Sequence, residues 1–291
     1  MPSIETHRTL AVLSLLAGAT LWGVIWYPMR LLEGEGLSGL WLTLILYGTA
    51  LVASLPRTWR CFAEFRHHPW LMALLMLAAG WTNIAFVEAV LGGNILRVLL
   101  LFYLSPLWAT LLGWWWLGER LSRLAWMSLV IAMSGAMLML WNPVLGLPLP
   151  QGTAEWMALS SGMAFALSIV TTRRVEAVSV WAKAAAVWLG VVVLAAIIMT
   201  ALQLPRPPIG LPVFGGAALL GLFGILLMTL MVQYGVTHLP VQRSAVIVLV
   251  ELIAGAVSQQ LLTDEIVTVR EWAGGALIAF GAYLAARLGR V

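Results

Sequence analysis

Polar side chains inside long apolar runs are the residues of this chain that could do chemistry. Glu251 stands in the run VLVELIAGAV, and its carboxyl group could bind a cation or exchange a proton. Glu88 and Asn83 share another such run, and Gln233 lies near the end of a third. Polar groups in apolar segments of this length are rare and usually face a cavity or a partner. The alternatives are a protonated, hydrogen-bonded carboxyl at Glu251 and an interfacial position for Glu88.

Aromatic side chains accompany these polar groups and could form the walls of a pocket for planar or bulky apolar side chains. The candidates are Trp22, Trp26, Trp81, Tyr103 and Trp108. For each of them, packing or anchoring at a membrane surface is the alternative, because the chain has 16 tryptophans and indole rings favour that surface.

The segment LFYLSPLWATLLGWWWLGER, residues 101–120, contains Ser105 and Pro106 inside an apolar run. Proline cannot donate to the carbonyl four residues back and clashes with it, so Pro106 frees backbone groups near Phe102. In lipid such groups need satisfaction by protein or by a water-filled cavity. We therefore expect a helix break and a gating role at Pro106, with Ser105 either lining the cavity or bonding back to a carbonyl of a packed helix.

Composition defines the elements that must position these residues. Hydrophobic residues make up 62% of the 291 and charged residues only 10%, which predicts a membrane protein because soluble domains average about a quarter charged residues. The single cysteine, Cys61, excludes an intramolecular disulfide and a multi-cysteine zinc site. The sequence has no H-E-x-x-H, G-x-S-x-G, P-loop or dinucleotide motif, so we expect neither an enzyme nor a bound metal or cofactor.

Ten apolar stretches are long enough to cross a bilayer core of about 30 Å as α-helices. The predicted helices are 9–30, 37–55, 69–91, 94–117, 122–140, 153–172, 180–201, 212–236, 239–262 and 268–288. Basic residues favour cytoplasmic loops, and placing the N-terminus inside puts twelve of the 16 Lys and Arg in the cytoplasm. The sequence therefore predicts a multi-pass protein with both termini cytoplasmic, and the net charge of +4 indicates loops rather than a nucleic-acid partner.

The chain also has an internal repeat at an offset of 146 residues. This offset aligns Arg97 with Arg243, Glu119 with Glu265, Trp126 with Trp272, and Gly135 with Gly281. Five spans per half require the second half to be inverted, an architecture typical of transporters with a midplane site. The prediction is an all-α membrane protein of two inverted five-helix repeats, 1–141 and 153–291, joined by a linker at 142–152 around a central cavity.

Four segments make the chain resemble the drug/metabolite transporter superfamily, in its EamA-like branch. They are LWG at 21–23, YLSPLW at 103–108, LGERLS at 117–122 and SGAMLML at 134–140. The second copy of the motif, VELIAGAVSQQLLTDEIV at 250–267, keeps Glu265 but has Leu252 in place of proline and Asp264 in place of glycine. Within the superfamily, FYLSP is similar to the corresponding segment of bacterial aromatic amino acid exporters of the YddG type.

The resemblance implies a cavity lined by helices one, three, four, six, eight and nine, and alternating access for small metabolites. We expect an exporter of aromatic and other apolar amino acids, or similar metabolites, in the bacterial inner membrane. The alternative is a proton-coupled exporter of drugs or cationic compounds, with Glu88 and Glu251 exchanging substrate for protons. Expected partners are the small-molecule substrate and membrane lipid. Small residues on the fifth and tenth spans predict either helix packing within the chain or a homodimer surface.

Overall fold

The structure, a computed structural model, describes residues 4–37, 39–93, 95–141, 149–263 and 266–287, and α-helices account for most of this part of the chain. The helices are α1 Ile4–Val24, α2 Trp26–Gly34, α3 Gly39–Thr58, α4 Pro69–Gly92, α5 Ile95–Phe102, α6 Ser105–Leu117, α7 Arg123–Leu140, α8 Thr153–Arg174, α9 Val180–Ala201, α10 Leu211–Leu220, α11 Leu226–His238, α12 Val241–Val248, α13 Val250–Leu262 and α14 Val269–Arg287. A short 3₁₀ helix, Cys61–Arg66, precedes α4, and a π-helical turn, Gly221–Ile225, joins α10 to α11.

Nine helical stretches within the described residues are long and apolar enough to cross a membrane. They correspond to the first nine predicted spans, with α1–α2, α5–α6, α10–α11 and α12–α13 each forming one interrupted stretch. The tenth predicted span forms α14, a helix of 19 residues. Its first turn carries Arg270 and Glu271, which lower its hydropathy, and it packs along α7. The chain is therefore an all-helical, multi-pass membrane protein.

Two spans are interrupted at matching places. α5 ends at Phe102 and α6 begins at Ser105, with Pro106 at the second position of α6. The other interruption, between α12 and α13, falls at Leu249, although this segment has no proline. Adding 146 to both bounds of α5 gives the bounds of α12. The replacement of proline by Leu252 therefore does not remove the break from this span.

Small residues bring α7 and α14 into close contact. A Cβ built on Gly135 would lie 2.5 Å from the carbonyl oxygen of Gly274, and one built on Gly281 would lie 2.8 Å from that of Ser128. The two pairs are related by the 146-residue offset, because Gly135 corresponds to Gly281 and Ser128 corresponds to Gly274. These small residues are therefore used for packing within the chain, the first of the two alternatives that the sequence left open.

Polar contacts define two ends of the helix bundle. At one end, here called the basic face, Glu64 accepts hydrogen bonds from the backbone N–H and the hydroxyl of Ser179 at the start of α9, both at 2.7 Å. At the opposite face, Arg97 of α5 forms an ion pair with Glu155 of α8, at 2.6 Å between Nε and Oε1. Both interruptions lie between these two ends, inside their spans: each follows a helix of 8 residues and precedes one of 13.

Candidate functional site

The two interruptions meet through a pair of side chains. Tyr103 lies in the turn between α5 and α6, and its hydroxyl group lies beside the carboxyl group of Glu251 in the first turn of α13, close enough for the two groups to interact electrostatically. Tyr103 is buried, whereas Glu251 lies in the interior of the bundle but keeps part of its surface accessible. A carboxyl group inside the bundle has the position that a substrate-binding group requires.

Helix α1 packs closely against the first turns of α13, which carry Glu251. A Cβ on Gly23 would overlap the carbonyl oxygen of Glu251, so only glycine allows α1 and α13 to approach this closely. One turn further, Trp26 donates its indole N–H to the Ser258 hydroxyl at 2.9 Å, and that hydroxyl also lies 3.2 Å from the Gly23 carbonyl oxygen. The LWG motif therefore positions the start of α13, and Trp26 fastens the crossing.

Aromatic rings surround the interruption between α5 and α6. The ring of Phe102 lies 4.7 Å from that of Phe86 on α4, 5.1 Å from Tyr103 and 5.7 Å from Phe165 on α8, measured between centroids. Phe86, Phe102 and Phe165 were not among the predicted site residues. Phe102 stood in the quoted FYLSP segment, but nothing in the sequence singled out Phe86 or Phe165.

Gly162 of α8 covers the backbone freed by Pro106. A Cβ built on Gly162 would lie 2.6 Å from the carbonyl oxygen of Phe102, the group that proline leaves without its helical donor. This carbonyl group therefore packs against a neighbouring helix. Ser105, the next residue but two, is buried at the start of α6.

The remaining predicted site residues lie in several places. Asn83 accepts a hydrogen bond from the Tyr47 hydroxyl at 2.7 Å and donates to the Ala79 carbonyl, so its amide ties α4 to α3. Trp81 is exposed and donates to the Ser160 hydroxyl on α8. Glu88 is exposed near the end of α4. In the described part of the chain, no hydrogen bond or ring contact joins any of these three residues to Tyr103 or Glu251.

Trp22, Trp108 and Gln233 are in the packed interior. Trp22 is half-buried against the cluster formed by α3, α9 and α11, and Trp108 is half-buried beside the cluster around α6 and α12. Gln233 is buried in α11. The indole N–H of Trp108 and the side-chain oxygen of Gln233 have no hydrogen-bond partner among the described residues.

Lys183 in α9 is buried. In the sequence it was counted only among the basic residues at the cytoplasmic ends of the predicted spans. Its side chain is fully buried, and its ammonium group donates to the Thr237 hydroxyl on α11 at 3.0 Å. The position of Lys183 within the run VWAKAAAVWLG was the available sequence signal. Glu265 and Asp264, together with residues 142–148 of the predicted linker, lie outside the described residues.

An apolar groove of about 650 Å³ lies elsewhere, between α6, α7 and the start of α14. Its lining includes Leu107, Trp126 and Met133, with Arg270 at one end, and none of the predicted site residues. Leu107 and Trp126 are exposed on the helix surface, so the groove faces the lipid rather than the bundle interior. The junction of the two interruptions is accordingly our candidate site.

The interrupted helices and the intramembrane carboxyl group are typical of membrane transporters. The model of the EamA-like transporter family matches residues 9–141 and 152–287, and the chain therefore belongs to this family. Membership in a transporter family favours a non-enzymatic function.

Curated relatives match over shorter stretches. Protein RarD of Salmonella typhi and of Salmonella typhimurium is 32% identical over 92 residues, which are 31% of this chain and 31% of RarD. A protein named "Uncharacterized transporter" from Vibrio cholerae is 27% identical over 130 residues, 43% of each chain. The chain thus aligns with less than half the length of these relatives, one of which is named as a transporter.

A solved crystal structure shares the fold along the whole chain. The match covers 97% of this chain and 98% of the other, with a TM-score of 0.77 and 17% sequence identity. At this identity the likeness shows the fold alone.

Proposed function

We propose that the protein exports aromatic and other apolar amino acids, or similar small metabolites, across the bacterial inner membrane by alternating access. The observation that carries this proposal is the contact between the hydroxyl group of Tyr103 and the carboxyl group of Glu251. It joins the interruptions of two separate spans, and substrate sites of transporters typically form where interrupted helices meet near the midplane. The substrate would bind at this junction.

Reciprocal features support two inverted five-helix repeats, 1–141 and 153–291, as the moving halves. The interruptions of α5–α6 and α12–α13 and the paired close contacts of α7 and α14 are both related by the 146-residue offset. The family model also matches one stretch in each half. In this proposal α14 is the tenth crossing, and rocking of one half against the other exposes the junction to each side in turn.

The chemistry of the junction suits a molecule with an apolar body and a few polar groups. Glu251 and Tyr103 offer a carboxyl and a hydroxyl group, and the rings of Phe86, Phe102 and Phe165 form an apolar wall beside them. An ammonium group would donate a hydrogen bond to a side-chain oxygen of Glu251, while the aromatic or aliphatic side chain of an amino acid would pack against the rings.

Sidedness follows from the distribution of basic residues. The basic face carries the loop with Arg57, Arg60 and Arg66 and the end of α8 with Arg173 and Arg174. Because Lys and Arg are enriched in cytoplasmic loops, we assign this face to the cytoplasm. Both chain termini would then be cytoplasmic, and the 142–152 linker would lie outside.

One observation favours a second candidate, the proton-coupled export of drugs or cationic compounds. The carboxyl group of Glu251 lies beside the hydroxyl group of Tyr103, and the ring of Phe102 lies 5.1 Å from that of Tyr103. An acid beside aromatic faces can bind a lipophilic cation. It can also exchange that cation for a proton.

Uptake into proteoliposomes tests the proposed function. Purified protein should exchange labelled phenylalanine, tryptophan and leucine, whereas Glu251→Leu should reduce exchange at least about tenfold by removing both charge and hydrogen-bonding capacity. Glu33→Gln, which changes an exposed glutamate at the end of α2, is the matched control and should retain wild-type exchange. Transport of tetraphenylphosphonium driven by a pH gradient, without exchange of any amino acid, would favour the second candidate instead.

A further inference from the structure

A single carboxylate joins three helices at the basic face. Glu119 follows α6, and its Oε2 accepts a hydrogen bond from the backbone N–H of Val241, the first residue of α12, at 2.9 Å. Its Oε1 lies 3.8 Å from Nε of Arg173 at the end of α8. Arg173 in turn donates to the carbonyl oxygen of Thr237 at 2.7 Å. Glu119 therefore ties the end of α6 to helices that belong to the second half of the chain.

Next to the carboxylate of Glu119, α6 and α12 are in close contact. A Cβ built on Gly113 would lie 3.2 Å from the Cβ of Val241. α6 runs from the mid-membrane interruption towards the basic face, and α12 runs from the basic face towards its own interruption. Thr110 and Ser244 consequently each lie about one helical turn from this contact, on the side of the interruptions.

The side chains of Thr110 and Ser244 have an unusual environment. Both are buried, with exposed fractions of 3% and 0%, and neither hydroxyl has a hydrogen-bond partner among the residues that the structure describes. Other buried hydroxyls of the protein do have partners: Ser54 donates to the Leu51 carbonyl oxygen and Ser161 to that of Thr82. The missing partners at Thr110 and Ser244 therefore need a local explanation.

A buried hydroxyl group without a partner costs about 1–3 kcal/mol. This cost disappears if the surface that carries the group is hydrated, or occupied by a polar ligand, in another conformation of the protein. Thr110 belongs to the first half and Ser244 to the second, so relative movement of the halves would separate the two helices that carry them. The two hydroxyls are thus placed where a transport pathway would open.

We propose that the seam between α6 and α12 is the basic-face half of the substrate pathway, closed in this structure by Glu119. Thr110 and Ser244 are its hydrogen-bonding positions, suited to groups such as the carboxylate of an amino acid, and water fills them when the seam opens. The inference rests on the proposed function, because it describes access to the junction of Tyr103 and Glu251. It adds a second polar position, and Glu119 as the residue that controls access to it.

Thiol labelling tests this closure without any transport measurement. Cys61 is the only cysteine, so Cys61→Ser gives a background into which Ser244→Cys can be introduced. In lipid nanodiscs, where both faces are accessible, a small cationic methanethiosulfonate should label Ser244→Cys slowly. Adding Glu119→Ala should increase that rate on the order of tenfold, the effect of losing a carboxylate that caps a helix. Ser54→Cys, also buried, is the matched control and should label at one slow rate with or without Glu119→Ala.

Two further variants keep the test decisive if Glu119→Ala does not fold. Glu119→Gln retains an acceptor for the Val241 N–H but loses the charge, and it should produce a smaller increase. Arg173→Gln removes the bond to the Thr237 carbonyl and should also accelerate labelling of Ser244→Cys. Rapid labelling of Ser244→Cys beside an intact Glu119, or rates unchanged in all folded Glu119 and Arg173 variants, would overturn the inference. Either result would leave the amino acid exchange assay unaffected, because labelling requires no substrate.

Discussion

The hydroxyl group of Tyr103 and the carboxyl group of Glu251 connect the two interrupted spans at the middle of the helix bundle. Tyr103 belongs to the turn between α5 and α6, and Glu251 to the first turn of α13. In the proposed alternating access, each residue would move with its own half of the chain. A ligand that bound between these two groups would then sense the relative position of the halves.

Replacing Glu251 by Gln separates the two candidate functions. If the protein exports amino acids without proton coupling, Gln keeps the shape and an acceptor and should retain much of the flux at every pH. If it exchanges protons for a cation, Glu251→Gln should abolish gradient-driven transport and leave substrate exchange intact. Flux measured in proteoliposomes between pH 5.5 and 8.5, values chosen to span about three units around neutrality, distinguishes them, and we favour the first outcome. A steep pH dependence that disappears in Glu251→Gln would contradict it.

Gly23 provides a test of the geometry around Glu251. The added methyl group of Gly23→Ala would overlap the Glu251 carbonyl oxygen, so α1 and α13 must separate, at a cost of roughly 1–3 kcal/mol. We expect transport to fall several-fold and the melting temperature in detergent to drop. Gly48→Ala in α3, where no atom lies within 4 Å of the new Cβ, is the control and should melt at or slightly above the wild-type temperature. Equal behaviour of both variants would argue against a tight crossing at Gly23.

Pro106→Ala tests whether the first interruption is needed for transport. Alanine supplies the N–H that the Phe102 carbonyl lacks, so α5 and α6 should approach one continuous helix, with stability unchanged or improved. Straightening would also pull this carbonyl group away from Gly162. We expect the rate of substrate exchange to fall, because an interrupted helix can bend between states. A well-folded Pro106→Ala protein with wild-type exchange would show that the proline only shapes a packed helix.

Glu119 predicts a specific pH dependence of stability. Burial raises the pKa of this carboxyl group above the usual range of a glutamate, and it outweighs the opposing effects of the Val241 N–H and Arg173. The folded protein therefore holds the proton more tightly than the unfolded chain, so this group stabilises most at low pH and its contribution is lost as pH rises through the folded-state pKa. Relative to Glu119→Gln, which does not titrate, the wild-type melting temperature should decline as pH rises above about 4. A wild-type melting temperature that increases relative to this variant would refute the assignment.

Reporter fusions test the proposed sidedness. A reporter inserted near Arg60 and one fused after Val291 should both register as cytoplasmic, because twelve of the 16 basic residues fall on that side. A reporter inserted near Gly146 should register as external. If the reporters near Arg60 and Gly146 were found on the same side, the first half would not contain five crossings.

Helix positions could be predicted well from the sequence because apolar runs of sufficient length alternate with polar or Gly/Pro-bearing stretches. Pro106 also marked the first interruption, since proline leaves a carbonyl group without its donor. Leu249 carries no comparable signal. The 146-residue offset aligns Ser105 with Glu251, but it did not show that the helix would break there.

Contacts between distant helices could not be predicted. That Glu251 meets Tyr103, while Asn83 meets Tyr47, depends on how α13 and α3 cross their neighbours, and apolar runs hold no information about that crossing. Lys183 illustrates the same limit. A lysine one turn into a span is expected to reach the membrane surface, but the surrounding helices bury it and direct its ammonium group to Thr237.

A double-mutant cycle on substrate exchange tests the central claim most directly, namely that the two interruptions form one binding site. Wild type, Tyr103→Phe, Glu251→Leu and the double variant would be compared for phenylalanine exchange in proteoliposomes. Since both side chains are proposed to bind the same substrate and each other, the double variant should be hardly worse than Glu251→Leu alone, with a coupling energy of at least about 0.5 kcal/mol. Independent, multiplicative losses, or exchange that neither substitution affects, would contradict a shared site at Tyr103 and Glu251.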